Sequence, residues 1–302
     1  MSAEREAVLL LTHFIDDRIV AQARRLKVEA GAGRDVFVLF NKSDDNNPGF
    51  VPPPDVPVFA FVEDDLTALG YPAKGQHIRD VDIELFSFPF HRAHPQYDRL
   101  WVVEYDVEFT GRWSTVFDAF ADDPADLLAT NIHRWGGNPG WDNWKSVRTP
   151  SGRPNADGLV RAFLPFMRLS RAAYAALDAA YKAGWAGHYE CTVPTILEEG
   201  GLLVEDMGGD GEFVSPGNTN RFYTSTPGCN DLSPGSFVFR PIRTQAGDRP
   251  DTLWHPVKPP ATAYVRGWRT GRMAMLTRRA MTESRRRAAM VARLFGVKAS
   301  GA

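Results

Sequence analysis

The chain has 302 residues, 43% of them hydrophobic and 24% charged, which is enough apolar material for one large α/β domain or two smaller ones. No apolar run approaches the roughly 20 residues of a membrane span, and two cysteines, Cys191 and Cys229, are too few for a disulfide framework or a thiolate metal site. The net charge of −2 conceals an asymmetry: Arg266 to Ala302 holds ten Arg or Lys and a single acid, Glu283, so the rest of the chain is acidic by about 11 charges.

The start, Ala3-Glu4-Arg5-Glu6, mixes acids and bases and has no basic leader, so a cytoplasmic location is the default expectation. Ala7–Phe14 reads as a first buried strand. Asp16-Asp17 open a helix that carries Ile19, Val20, Ala23 and Leu26 on one face and ends near Gly31, with acids in the first turn where the helix dipole favours them. Asp35–Phe40 and Val56–Val62 read as the next two strands. Strand, helix, strand, loop, strand is the rhythm of a mostly parallel sheet, and its carboxyl edge would carry the loops after Phe14 and Phe40. Thr12, His13 and Asn41 are therefore candidates to meet a ligand, beside plain capping or turn roles. Glu63-Asp64-Asp65 starts a short helix and Val81–Phe88 another. Lys74 and Arg79 are candidate phosphate ligands, and His77 adds a further base; surface solvation is the simpler explanation of each.

Tyr97–Trp113 (YDRLWVVEYDVEFTGRW) is the most informative stretch. Leu100 to Val103 is the apolar run of a strand covered on both faces. Glu104, Asp106 and Glu108 follow at alternate positions, on one face if the strand continues. Three such anions would repel one another unless a cation sits among them. Two readings stay open here: a strand emerging into water with solvated acids, or carboxylates at the carboxyl end of a central strand, where open α/β sheets bind ligands, holding a divalent metal.

Trp113–Phe120 has helical periodicity and Asp126–Asn131 reads as a strand. The loop from His133 to Asp157 carries Trp135, Trp141 and Trp144 among Gly, Pro and Asn. Such rings suit either a bound sugar or a lid packed on its own domain. Gly158–Ser170 returns to the core, and Ser170 caps a helix over Arg171–Gly184. Gly187 then permits a sharp turn, and Glu190 begins a short helix that runs to Glu198 and Glu199. Glu190 either complements that helix dipole or is a general base on the floor of a cleft. Gly201–Glu205 and Ser236–Arg240 read as strands, with the Gly-rich 207–234 stretch as loop. His255, in Leu-Trp-His-Pro, is a packed side chain or a metal ligand. The basic last segment is helical, and either covers the acidic body or rests on an anionic membrane surface. No nucleic-acid-binding module accompanies it.

The acidic strand end, the acidic helix start and the late histidine, in that order, resemble the nucleotide-sugar-dependent glycosyltransferases of the GT-A fold, over most of residues 7–260. Glu104-Tyr105-Asp106 looks like that family's Asp-x-Asp metal motif, with Glu for the first Asp. His188-Tyr189-Glu190 looks like its second acidic motif, again with Glu for Asp. The resemblance implies a mostly parallel sheet flanked by helices, a catalytic domain over 1–262 and a basic helical tail over 263–302. It implies Mn²⁺ or Mg²⁺ held by Glu104, Asp106 and His255, and donor contacts at Thr12, His13, Asn41 and Glu104. Glu190 becomes the base that deprotonates an acceptor hydroxyl, with inversion at the anomeric carbon. The implied partners are a nucleotide-diphosphate sugar and a carbohydrate, lipid-linked or small-molecule acceptor. A glycoside hydrolase using Glu104 and Glu190, and a non-catalytic protein docked through its tail, are the competing expectations.

Overall fold

Along the chain, strands and helices alternate as β1 (Glu6–Thr12), α1 (Asp17–Glu29), β2 (Arg34–Asn41), β3 (Val58–Phe61), α2 (Glu63–Thr67), α3 (Phe88–Ala93), β4 (Arg99–Glu104) and β5 (Glu108–Phe109). They continue as α4 (Trp113–Ala119), β6 (Leu127–Arg134), β7 (Val160–Ser170), α5 (Arg171–Ala183), α6 (Tyr189–Glu199), β8 (Val204–Asp206) and β9 (Leu253–Trp254). The structure is a computed structural model and describes residues 4–45, 47–75, 82–224 and 235–258. The basic tail, His77, Arg79 and Cys229 lie outside the described residues.

Seven strands form one sheet in the order β3-β2-β1-β4-β7-β6-β8. β1, β2, β3 and β4 run parallel, β7 is antiparallel to both of its neighbours, and β8 is parallel to β6. This is the mixed α/β, mostly parallel sheet flanked by helices that the sequence rhythm predicts. β1 is buried along its whole length, because both faces of the sheet are covered. On one face Leu9, Leu11, Leu100 and Val102 join a core with Leu85, Phe88, Tyr174, Leu177 and Leu197. On the other, Trp101 packs against Phe117 of α4 and Phe166 of β7, with ring centroids 4.9 and 5.4 Å apart. Each such fully buried side chain contributes about 1.5–3 kcal/mol. α1 buries Ile19, Val20, Ala23 and Leu26, the face read from its spacing, and Asp16 Oδ1 caps it by accepting from Ile19 N at 2.9 Å.

Three local expectations need correction. β4 ends at Glu104, and Tyr105 and Asp106 form a turn closed by Val107 N donating to Glu104 O at 2.9 Å, so the acids do not share a strand face. Val81–Phe88 is not one helix: a 3₁₀ turn spans Ile83–Ser87, and α3 starts at Phe88. Ser236–Arg240 makes an isolated bridge, Phe237 with His255, rather than a strand. Among the described residues no helix is long and apolar enough to cross a membrane.

Candidate active site

The parallel register sets Leu11 of β1 opposite Glu104 of β4, and Tyr105 N donates to Leu11 O at 2.9 Å. The turn at Tyr105-Asp106 is therefore fixed at the carboxyl edge of the sheet's middle strands, where strand ends leave a crevice for ligands. The chain then enters β5, which pairs antiparallel with β9, Glu108 opposite Trp254 and Phe109 opposite Leu253. This short ribbon delivers His255 to the turn, and Val257 N donates to Asp106 O at 2.8 Å. Glu104, Asp106 and His255 each offer a ligand atom, all within 4.8 Å of one another. Glu108, held in the ribbon, is not part of the group.

The chemistry of this donor set suits a divalent cation. The His255 ring is buried between Phe163 and Phe237. Its Nδ1 lies 2.9 Å from Val238 O; a carbonyl only accepts, so Nδ1 carries the proton and Nε2 is left to face the site. A ligating imidazole is oriented in this way by its outer hydrogen bond. Nε2 lies 3.5 Å from Asp106 Oδ1, which is buried without a hydrogen-bond partner. Two facing lone pairs call for a proton or a cation between them. Lys258 Nζ takes the other Asp106 oxygen at 3.1 Å and lies 5.3 Å from the Tyr105 ring centroid.

Electrostatics divides the two acids. Burial raises the Asp106 carboxyl, but its interactions with His255 and Lys258 outweigh that and hold Asp106 well below the usual carboxylate range. Burial and the Asp106 charge push Glu104 up to about 7, against a smaller opposing pull from His255 and Lys258. Glu104 is only half-buried and Asp106 fully so. Asp106 is thus the standing anion, and Glu104 is the one that a cation must deprotonate.

Glu190 lies in the first turn of α6 and is buried. Its backbone N donates to His188 Nδ1 at 3.3 Å, so that nitrogen carries no proton. Burial lowers His188 to about 4, with the charges of Lys74 and Arg161 adding to it. The 4.0 Å approach of His188 to Glu190 Oε2 is therefore not an ion pair at neutral pH. Tyr189, next to Glu190, lines the same narrow cavity as Glu104. Its hydroxyl is pushed well above its usual range by burial first and then by the fields of Glu190, Glu104, Glu84 and Asp106. The end of β4 and the start of α6 thus meet at one cavity through Glu104 and Tyr189, and Glu190 is not among its lining residues.

The remaining candidates divide. His13 meets Tyr105 edge-on at 5.3 Å. Thr12 Oγ1 donates to Phe14 O at 2.7 Å. Asn41 Oδ1 accepts from Ser43 N at 3.2 Å, and its Nδ2 donates to Asp44 Oδ2 at 3.1 Å; both side chains serve local turns. Lys74 is neither solvated nor placed as an open phosphate ligand. It is buried, 2.9 Å from Asp82 Oδ1 and 2.7 Å from Glu84 Oε1, and donates to Gly187 O at 2.8 Å. In the tryptophan loop, Trp144 packs with Val147, Leu159 and Cys191 as a lid on its own domain, while Trp141 sets its edge against His188 at 5.6 Å under the Arg161 guanidinium. Lys258, Tyr189 and Glu84 escaped the sequence reading. A cation three residues after the late histidine was the available signal for Lys258. Glu84 and Tyr189 had none, because their meeting depends on tertiary packing.

No known family profile matches the sequence, and no curated protein does. Among solved structures the chain is similar to a Bacillus anthracis protein described as a glucose-1-phosphate thymidylyltransferase, at 11% identity over 68% of this chain and 88% of that one, with a TM-score of 0.39. It is similar to the core-mannan synthase A of Aspergillus fumigatus in its Mn/GDP form, at 13% identity over 68% and 73% of the two chains, TM-score 0.36. It is also similar to mouse xyloside xylosyltransferase 1, at 12% identity over 68% and 85%, TM-score 0.31. These are a nucleotidyltransferase and two glycosyltransferases. The functional reading rests on the site's own geometry.

Proposed function

We propose that the chain is a nucleotide-sugar-dependent glycosyltransferase, metal-dependent and inverting, that moves a glycosyl group from a nucleoside diphosphate to an acceptor hydroxyl. One observation carries this reading: Glu104, Asp106 and His255 converge at the mouth of the sheet with Nε2 and a partnerless carboxylate oxygen facing each other. Hard oxygen donors with one imidazole suit Mn²⁺ or Mg²⁺. When bound, such an ion neutralises charge on the departing diphosphate.

The chain's own groups do the rest. Asp106 stays ionised and binds, and Glu104 joins it once deprotonated. Lys258, tied to an acid only through its ammonium, supplies a second positive charge that can turn from Asp106 to an anionic phosphate. Tyr105, the middle residue of the turn, offers its ring beside His13 for the donor's base. Glu190 is the group that takes the acceptor proton as the hydroxyl attacks an oxocarbenium-like centre. The turn at Gly187 fixes its position: a Cβ there would lie 2.8 Å from Val147 Cα, so the helix start has no room to drift. The enzyme would act in the cytoplasm, on a carbohydrate, lipid-linked or small-molecule acceptor.

The test is calorimetric titration of the full chain with UDP, GDP and their sugar conjugates, with Mn²⁺ or with EDTA, followed by NMR of the transferred anomeric proton. Binding that requires both nucleotide and metal, with an inverted product, is expected. Glu190→Gln is expected to lower turnover by about 10²–10⁴ while nucleotide affinity stays within about twofold. Transfer at the parent rate by this variant sinks the base assignment.

A further inference from the structure

Glu84 lies in the 3₁₀ turn before α3 and is 1% exposed. Its Oε1 is fully engaged: Lys74 Nζ donates to it at 2.7 Å and the Tyr181 hydroxyl at 2.9 Å. Its Oε2 is buried with no hydrogen-bond partner. Leaving a carboxylate oxygen unsatisfied in the interior is costly, and such an atom in a folded protein calls for an absent partner. The location of that partner is constrained. Glu84 lines the same narrow cavity as Glu104 and Tyr189, with otherwise mainly apolar walls. Glu84 is thus part of the wall of a space that Glu104 bounds on one side and Tyr189, at the start of α6, on the other.

The carboxylate is also held rigidly. Lys74 is clamped by Asp82 at 2.9 Å and by Gly187 O at 2.8 Å, and it lies 5.1 Å from the Tyr181 ring centroid. Gly75 N donates to Asp82 Oδ2 at 2.8 Å. Pre-organised acceptors of this kind discriminate strongly between a ligand that supplies a hydroxyl and one that does not, because the second leaves the buried oxygen unpaired. The cavity is too narrow for a ring and suits one small donor group.

We propose that Glu84 is a specificity residue of the donor site: its Oε2 accepts a hydrogen bond from one hydroxyl of the glycosyl group, reaching into the cavity beside Glu104. This rests on the reading of the site as a glycosyl-donor site, and the experiment separates the two. UDP, GDP, UDP-glucose, UDP-N-acetylglucosamine and GDP-mannose are titrated with Mn²⁺ into the wild-type chain, Glu84→Gln and Tyr181→Phe. Tyr181→Phe keeps the carboxylate and the Lys74 pair, so it serves if Glu84→Gln does not fold.

The expected result is that Glu84→Gln binds the bare nucleoside diphosphate as the wild type does, yet loses about tenfold in affinity for the preferred sugar nucleotide. Tyr181→Phe is expected to lose less, in the same direction. Sugar-nucleotide affinity unchanged in Glu84→Gln, or in Tyr181→Phe where only that variant folds, overturns the role of Glu84 and leaves the donor site standing. An equal loss for bare and sugar-bearing nucleotides also overturns it, since only the site as a whole has then been disturbed. Failure of the wild type to bind any of the five with Mn²⁺ overturns the donor site, and the inference with it.

Discussion

Replacing Glu104 by Gln is expected to make the ion-free protein more stable at alkaline pH while removing its response to metal. Glu104 titrates near 7 in the folded chain, against an ordinary 4.5. Between those values the folded state holds a proton that the unfolded state has released. The contribution of Glu104 is therefore fully present below about 4.5, declines as pH rises, and is lost above about 7. A tenfold displacement of a titration is worth about 1.4 kcal/mol, so the full difference corresponds to about 3 kcal/mol. Solvent reaches part of this half-buried side chain, and an amide must also be desolvated, so the expected gain for the variant at pH 8 is about 1–2 kcal/mol. That is roughly 2–8 °C in Tm for a chain of this size. The assay is thermal unfolding at pH 5 and pH 8, in EDTA and in Mn²⁺. At pH 5 in EDTA the two proteins should melt together. At pH 8 in EDTA the variant should melt higher, and in Mn²⁺ the wild type alone should shift upward. A variant that melts lower than the wild type at pH 8 in EDTA, or that still responds to Mn²⁺, refutes the account of Glu104 as a strained metal ligand.

His255→Ala should weaken Mn²⁺ binding about 100-fold or more, since outer-shell partners alone are commonly worth 10–100-fold; calorimetry with Mn²⁺ reads this, and undiminished affinity removes His255 from the site. Gly187→Ala places a side chain at φ +125 and 2.8 Å from Val147 Cα, so it should cost about 2–4 kcal/mol, read from the urea midpoint. Lys74→Met leaves Asp82 and Glu84 buried without their shared cation and should cost about 3–5 kcal/mol. A midpoint equal to the wild type would show that the buried triad does not hold the turn.

Much of the fold was legible because burial writes itself into composition. Ala7–Leu11 and Leu100–Val103 are covered on both faces, so every position is apolar, and the 3.6-residue spacing of Ile19, Val20, Ala23 and Leu26 survives in a helix with one buried stripe. The candidate site was legible only as a list. Glu-x-Asp reads the same whether the chain stays extended or turns, and the turn at Tyr105 was invisible because its closing bond is backbone to backbone. Ser236–Arg240 has strand-like residues, yet its backbone makes a single bridge to His255 and not a ladder. Lys74 reads as a surface base, since nothing local announces the carboxylates eight and ten residues away that hold it in the interior.

The sequence by itself determined the alternation of elements, the position of β4 as a strand buried on both faces, and the two acidic stretches with the late histidine after them. Those features depend on neighbours a few residues away. Tertiary structure alone decided that His255 meets Asp106, through the two-residue pairing of β5 with β9, and that Glu84, Glu104 and Tyr189 share a cavity. Contacts between residues 20 to 150 positions apart leave no periodic trace in a chain. They exist because the sheet's register and the packing of α6 bring backbone ends together.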